Sequence, residues 1–313
     1  AVDTRVSRVV DLKTPGSKEA HRNRYENIEL LTDTAHALHW SRPQAVIDAV
    51  THFLSQSFFQ TKTPAQLDKK KVAQSFGRAA ETYDAVAQLQ RDVGTELCLM
   101  LPAHLPVDAQ VLDLGSGTGF FTRRLMHAYP QAQLIGLDIA EGMLRFSRKN
   151  GPDAIQWLCG DAEHLPLADN SVDLLFSSLA IQWCQNLPQL MAELHRVLKP
   201  GGQLFIATLG PATLQELKNA WQQVDDYVHV NRFQSSDALT AALQQGGLVQ
   251  AKLQTQTRVL YFDRLAELTR ELKALGAHNI NSGKPEGLTS RARLLAFKNA
   301  YEQHRTEQGL PAS

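Results

Sequence analysis

The sequence predicts an α/β protein: a parallel sheet with helices on both faces, a helical cap and a small N-terminal αβ extension. Three observations predict it. Short apolar runs alternate with helical patterns through the middle of the chain, the order that builds βαβ units. Val111-Leu112-Asp113-Leu114 runs straight into Gly115-Ser116-Gly117-Thr118-Gly119, a strand followed by a glycine turn that lets backbone approach a ligand. About twenty residues on, Leu134-Ile135-Gly136-Leu137 ends at Asp138, a carboxylate suited to a ribose diol.

Taken in order, residues 1–67 differ in kind from the rest of the chain. Tyr25–Leu31 reads as a strand, His36–His39 as a loop and Pro43–Leu54 as a helix. Residues 55–67 are polar, with Lys62-Thr63-Pro64, and read as a linker. The organisation expected is therefore 1–54, a linker at 55–67, and one domain over 68–313. Val72–Leu99 carries apolar residues at helical spacing, enough for one or two helices ahead of the core. Strands are expected at Val111–Leu114, Gln133–Ile139, Ile155–Cys159, Val172–Ser177 and Gln203–Leu209. Helices are expected between them at Phe121–Ala128, Gly142–Lys149 and Pro188–Leu198. Lys199-Pro200-Gly201-Gly202 stops the last of these, because proline cannot continue a helix. Further on, Pro211–Tyr227 and Ser236–Gln245 read as helices and Val249–Phe262 as a long sixth strand. Leu265–Leu275 and Ser290–Gln303 read as helices of a cap over the active site.

Composition narrows the class. Lys+Arg and Asp+Glu both number 32 in 313 residues, which argues against a global field for nucleic acid. No run of eighteen apolar residues occurs, so no membrane partner is expected. Cys98, Cys159 and Cys184 are widely spaced with no C-x-x-C, which fits a reducing cytoplasm and predicts neither a metal site nor a disulfide framework.

The glycine pattern selects among ligands. A dinucleotide fingerprint needs a small residue at position 120, which is Phe, and the third glycine comes one residue early at Gly119. D-x-G-x-G-x-G instead resembles the motif of class I S-adenosylmethionine (SAM) methyltransferases, with a Rossmann-like sheet. A dinucleotide site and a turn without ligand stay open at this point. More specific segments resemble one family, the malonyl-acyl-carrier-protein O-methyltransferases of early biotin synthesis. These are Ala73-Gln74-Ser75-Phe76-Gly77-Arg78-Ala79-Ala80-Glu81-Thr82-Tyr83-Asp84, Gln182-Trp183 after strand four, His229-Val230-Asn231-Arg232-Phe233, and Gly276-Ala277-His278-Asn279-Ile280-Asn281.

That resemblance implies a residue-level site. Gly115, Gly117 and Gly119, with Asp113 before them, would surround the methionine part of SAM. Asp138 would take the ribose, Ile139 and Met143 would flank the adenine, and Asp161-Ala162 would meet its exocyclic amine. Ser177 closes strand four at the ligand edge, and Arg78 is a candidate for the SAM carboxylate. Tyr83, Arg232, His278 and Asn279 are the candidates for holding a malonyl carboxylate, with Arg78 as a fifth if it does not pair the SAM carboxylate. Gln182 and Trp183 are either a packing pair or a substrate-side wall. The acidic acyl carrier protein would meet a basic face, for which Arg270, Lys273, Arg291, Arg293 and Lys298 are candidates. Lys69-Lys70-Lys71 reads as a solvated helix start.

Both ends carry an expectation. Ile28 to Pro43, with His36 in the triad-histidine position and Asp3 near the acid position, resembles the end of an α/β-hydrolase of the pimeloyl-carrier methyl ester carboxylesterase type. No G-x-S-x-G elbow accompanies it, so no acyl-enzyme chemistry is expected. Toward the C-terminus the family has an aromatic-rich segment after Gly309-Leu310-Pro311-Ala312, so the last sheet strand is expected to be missing. The alternatives are another class I methyltransferase, acting on a small acid or a quinone, and a non-catalytic SAM-binding fragment.

Overall fold

The computed structural model describes residues 67–248, 250–277 and 290–313, all within one compact unit, Ala65–Ser313. Expectations for residues 1–66, and for His278 and Asn279, lie outside the described residues. In chain order the elements are α1 (Lys69–Val86), α2 (Gln88–Cys98), β1 (Gln110–Leu114), α3 (Phe120–Ala128), β2 (Gln133–Asp138), α4 (Glu141–Asn150), β3 (Gln156–Cys159), β4 (Val172–Ser178), a 3-10 turn (Ile181–Trp183), α5 (Leu187–Val197) and β5 (Leu198–Ala207). They continue with α6 (Gln215–Gln222), α7 (Ser236–Gln245), β6 (Leu260–Phe262), α8 (Leu265–Ala274), α9 (Arg291–Glu302) and β7 (Leu310–Ala312).

Local chemistry sets the helix starts. Asp68 caps α1 by accepting from the Lys70 and Lys71 amides at 3.0 and 3.2 Å. Asn186 caps α5, with a proline in its first turn, and Ser235 and Ser290 cap α7 and α9. Each side-chain oxygen satisfies an amide that has no partner within the helix.

The main sheet is fully parallel, in the order β3-β2-β1-β4-β5. Its central strands β1, β2 and β4 are mainly apolar and buried because both faces are covered. Leu112, Leu114, Ile135, Leu137 and Leu175 pack with α5 and α7. Val111, Leu134, Leu174 and Phe176 pack with α2 and α3. The chain leaves β1 toward β2 and β3, then returns to β4 on the other side of β1. This reversal opens a crevice at the carboxyl ends of β1 and β4.

Three expectations are corrected. β5 begins at Leu198 rather than Gln203: the helix stops at Val197 and the strand takes over at once. Its register against β4 shifts between Val172 and Leu174, where the Pro-Gly-Gly stretch enters. The helix expected over Pro211–Tyr227 is only Gln215–Gln222. Leu214 sits at φ 55°, its amide turned to the Ser313 carbonyl, which delays the start, and Asp225 folds back onto the Tyr227 amide at 2.9 Å.

The third correction concerns the sixth strand. Only Leu260–Phe262 is a strand, and it pairs antiparallel with β7 in a separate two-stranded sheet. Residues 251–257 are exposed throughout, so their alternating pattern has no surface to bury against. Among the described residues the main sheet has five strands, with β5 at its edge. The small sheet joins α6, α8 and α9 around Leu217, Leu265, Phe297, Tyr301 and Leu310. Here Trp221 is stacked on Phe297 and on His229, at 4.1 and 3.7 Å between ring centroids. Asp225 accepts from His229 at 2.7 Å and pairs with Arg293.

Candidate active site

A pocket lies in the crevice at the carboxyl ends of β1, β2 and β4. Its first wall is the glycine turn. Gly115, Gly117 and Gly119 all have positive φ (75°, 54° and 77°), a region that costs other residues a Cβ clash. Gly115 and Gly117 line the pocket. A Cβ on Gly115 would stand 2.2 Å from the Ala180 Cβ, whereas one on Gly117 would meet nothing within 4 Å. Gly119 faces away: it is the N-cap of α3, and a Cβ there would meet Trp157 at 2.5 Å. It shapes the turn and its packing rather than touching the pocket.

Asp138 stands at the tip of β2 and lines the pocket. Its carboxylate accepts from the Gly117 amide at 2.9 Å and the Ala140 amide at 2.7 Å. Burial raises its pKa, opposed by these amides. Both oxygens are thus aimed while lone pairs remain for a ligand. Ile139 and Met143 line the same wall. Asp113 does not reach the pocket. It is buried within β1, accepts from Thr122 Oγ1 at 2.6 Å, and burial pushes its pKa up to about 7. Ser177 is also buried and donates to the Leu114 carbonyl at 2.9 Å. Its neighbour Ser178 lines the pocket instead, with an Oγ that is buried and has no partner among the described residues.

The opposite wall is α1. Lys69, Val72, Phe76 and Tyr83 line the pocket from it. Phe76 contacts Trp183 edge-on at 5.1 Å and Tyr83 at 6.5 Å. Trp183 therefore belongs to the pocket wall and packs there as well. Burial, then the charges of Asp138 and Asp84, raise the Tyr83 pKa, so the phenol stays protonated and can donate. Asp161 and Ala162 line the far end. Lys69 donates to Asp161 at 2.6 and 2.8 Å and pairs with Glu163. The solvated start expected for the lysine run is therefore wrong for Lys69, because the capped first turn of α1 carries it onto these carboxylates. Cys184 also lines the pocket, but burial, then the Glu163 charge, push its thiol up to about 12. It stays a thiol and is no nucleophile.

Arg78 and Arg232 are exposed and do not line the pocket. Arg78 leaves the face of α1 that carries Tyr83, and Arg232 belongs to the loop after α6. No described residue beyond Cys184 lines the pocket. Among the described residues the cover is α1, not the C-terminal helices. Sequence reasoning misses Lys69, Phe76 and Ser178; the i, i+4 apolar spacing of Val72 and Phe76 on one helix face is a signal that could have found Phe76.

The residues present fit SAM. A turn open at Gly117, an aimed carboxylate, an orphaned hydroxyl at Ser178, and an apolar wall ending in Asp161 suit its polar tail, ribose and adenine. Fold and pocket together define a class I, SAM-dependent methyltransferase. In keeping with this, a family model described as a methyltransferase domain matches residues 112–206.

The chain belongs to the malonyl-(acyl-carrier protein) O-methyltransferase family. A protein of that name from Hahella chejuensis is 39% identical over 265 residues, covering 84% of this chain and 94% of the relative. One from Methylococcus capsulatus is 46% identical over 236 residues, 75% of this chain and 86% of the relative. A biotin biosynthesis bifunctional protein, BioHC, of Cellvibrio japonicus is 58% identical over 291 residues, 93% of this chain and 56% of that protein. The chain spans about half the length of the bifunctional relatives it matches. The alignment with the Cellvibrio japonicus protein is long enough to take in much of residues 1–66, in keeping with the hydrolase-like N-terminal segment.

Among the described residues no helix is long and apolar enough to cross a membrane.

Proposed function

We propose that this chain methylates the free carboxylate of a malonyl thioester carried by acyl carrier protein, in the cytoplasm, as a step of biotin synthesis. The observation that carries the reading is Tyr83 placed across one pocket from Asp138 and Gly117, in a chain that spans nearly the whole of its single-function relatives. When bound, SAM supplies a methyl group activated on a sulfonium.

The chain's own residues do the rest. Asp138 orients the ribose, and Asp161 receives the exocyclic amine of the adenine. Phe76, Tyr83 and Trp183 present aromatic surface suited to a cation and exclude water. A malonyl carboxylate is ionised near neutral pH, so no general base is needed. Its cost is desolvation, which a neutral phenol donor at Tyr83 offsets. Catalysis is then positioning and exclusion of water.

The test is mass spectrometry of malonyl-acyl carrier protein after incubation with the chain and SAM. A gain of one methylene mass, lost with Asp138→Ala, is expected. No gain with wild type, while SAM still binds, overturns the substrate assignment.

A further inference from the structure

One face of α1 looks into the pocket: Lys69, Val72, Phe76 and Tyr83 share it. Three attachments hold that face down. Asp84 accepts from Thr118 Oγ1 of the glycine turn at 2.8 Å. In the middle, Gly77 lies against Gly142 of α4. At the N-terminal end, Lys69 crosses the pocket edge to Asp161 and Glu163.

The two carboxylates differ in freedom. Glu163 is buried and also accepts from the backbone amides of Gln185 and Asn186, so it cannot turn away. The Asp161 side chain is 30% exposed. Among the described residues its one backbone donor is the Glu163 amide, at 3.0 Å. Burial works against the Lys69 charge, but the bonds to Asp161 and Glu163 outweigh it and raise its pKa, so it is an ammonium at neutral pH. Without that ammonium, two carboxylates would face each other at a partly dry edge. The one free to leave is Asp161, which would swing toward water.

We infer that Lys69 is a positioning residue for ligand recognition: it holds Asp161 toward the pocket and thereby sets the preference for a purine with an exocyclic amine. The inference rests on the proposed reading of the pocket as a SAM site. An amine donates to a carboxylate, whereas the carbonyl of a hypoxanthine ring would meet it acceptor to acceptor. Losing Lys69 therefore weakens the amine-bearing ligand selectively, which a general loosening of α1 would not do.

The experiment is isothermal titration of the full chain with S-adenosylhomocysteine and with S-inosylhomocysteine. Lys69→Met is expected to weaken the adenosyl ligand about tenfold, with the inosyl ligand changed less than about twofold. Lys69→Arg restores most of the loss. The double variant Lys69→Met/Asp161→Asn binds no more weakly than Asp161→Asn alone, because both act through one carboxylate. Equal losses for both ligands, additive losses in the double variant, or an unchanged or improved adenosyl affinity in Lys69→Met overturn the inference. Should Lys69→Met fail to fold, Lys69→Gln carries the same comparison. Wild type that binds neither ligand sinks the SAM reading itself, an outcome distinct from wild type that binds while the variants fail to discriminate.

Discussion

The glycine-turn wall of the pocket comes from one stretch of chain, residues 114–143, where backbone amides hold the Asp138 carboxylate. The opposite wall is assembled from α1, residues 160–162 and residues 178–184, whose contacts are side chains brought together over about a hundred residues of chain (Lys69 with Asp161, Phe76 with Trp183). The first wall depends on conformation: positive φ at the glycines and an aspartate held by two amides. The second depends on docking: an ion cluster, an aromatic edge contact and a close helix crossing. A change in the first wall should therefore abolish binding outright, and a change in the second should grade it.

The largest effect should come from the turn. Gly115→Ala combines φ 75° with a Cβ 2.2 Å from Ala180 and is expected to cut S-adenosylhomocysteine affinity by more than about a hundredfold. Gly117→Ala has open space around it, so it should cost about 1 kcal/mol in stability while its methyl intrudes on the ligand. Titration and thermal melts of the pair separate the two effects. Equal stability losses would break the distinction between clash and conformation.

Next comes Tyr83→Phe, which keeps the ring but removes the donor. The rate of methyl transfer should fall about ten- to a hundredfold, with S-adenosylhomocysteine affinity held within about threefold. A matching loss in affinity would mean that Tyr83 serves the nucleoside and not the acceptor.

The helix crossing should give a smaller, graded response. A Cβ on Gly142 would lie 2.6–2.8 Å from the Gly77 backbone, while one on Gly77 would lie 3.4 Å from Gly142. Gly142→Ala is expected to destabilise by about 2 kcal/mol, and Gly77→Ala should be near neutral, gaining helix propensity within α1. Chemical denaturation measures both. The same loss from each would show that α1 is not seated by that crossing.

The last effect is gradual, a pH trend. The Asp113 pKa is raised by burial to about 7. Below the unfolded value, near 3.8, the carboxyl is protonated in both states. As pH rises from about 4 through 7 the unfolded state loses its proton first, so stability falls, by at most about 1.4 kcal/mol per pH step of one. Asp113→Asn should flatten that decline across pH 4–7. A parallel decline in the variant would assign the trend to other groups.

Legibility follows the same division. Gly115, Gly117, Asp138, Ile139 and Met143 are readable because consecutive residues of one βαβ unit make that wall. Asp113, Gly119 and Ser177 belong to the same motif but serve the turn and the sheet, a distinction that depends on which side of a strand or turn faces the crevice. Tyr83 and Asp161-Ala162 are readable only through resemblance. Lys69 is not readable at all, since nothing local to a lysine run tells a solvated ammonium from one meeting carboxylates about ninety residues away.

The sequence by itself determined the parallel sheet, the glycine turn and the carboxylate at the tip of β2. These follow from periodicity, from the φ that glycine permits, and from where a strand must end. Tertiary structure alone decided that, among the described residues, α1 rather than the C-terminal helices covers the pocket, that residues 251–257 form no strand, and that Arg78 and Arg232 stay outside. Each of those outcomes depends on which surfaces find one another to bury, and that is a property of the packed chain rather than of any segment within it.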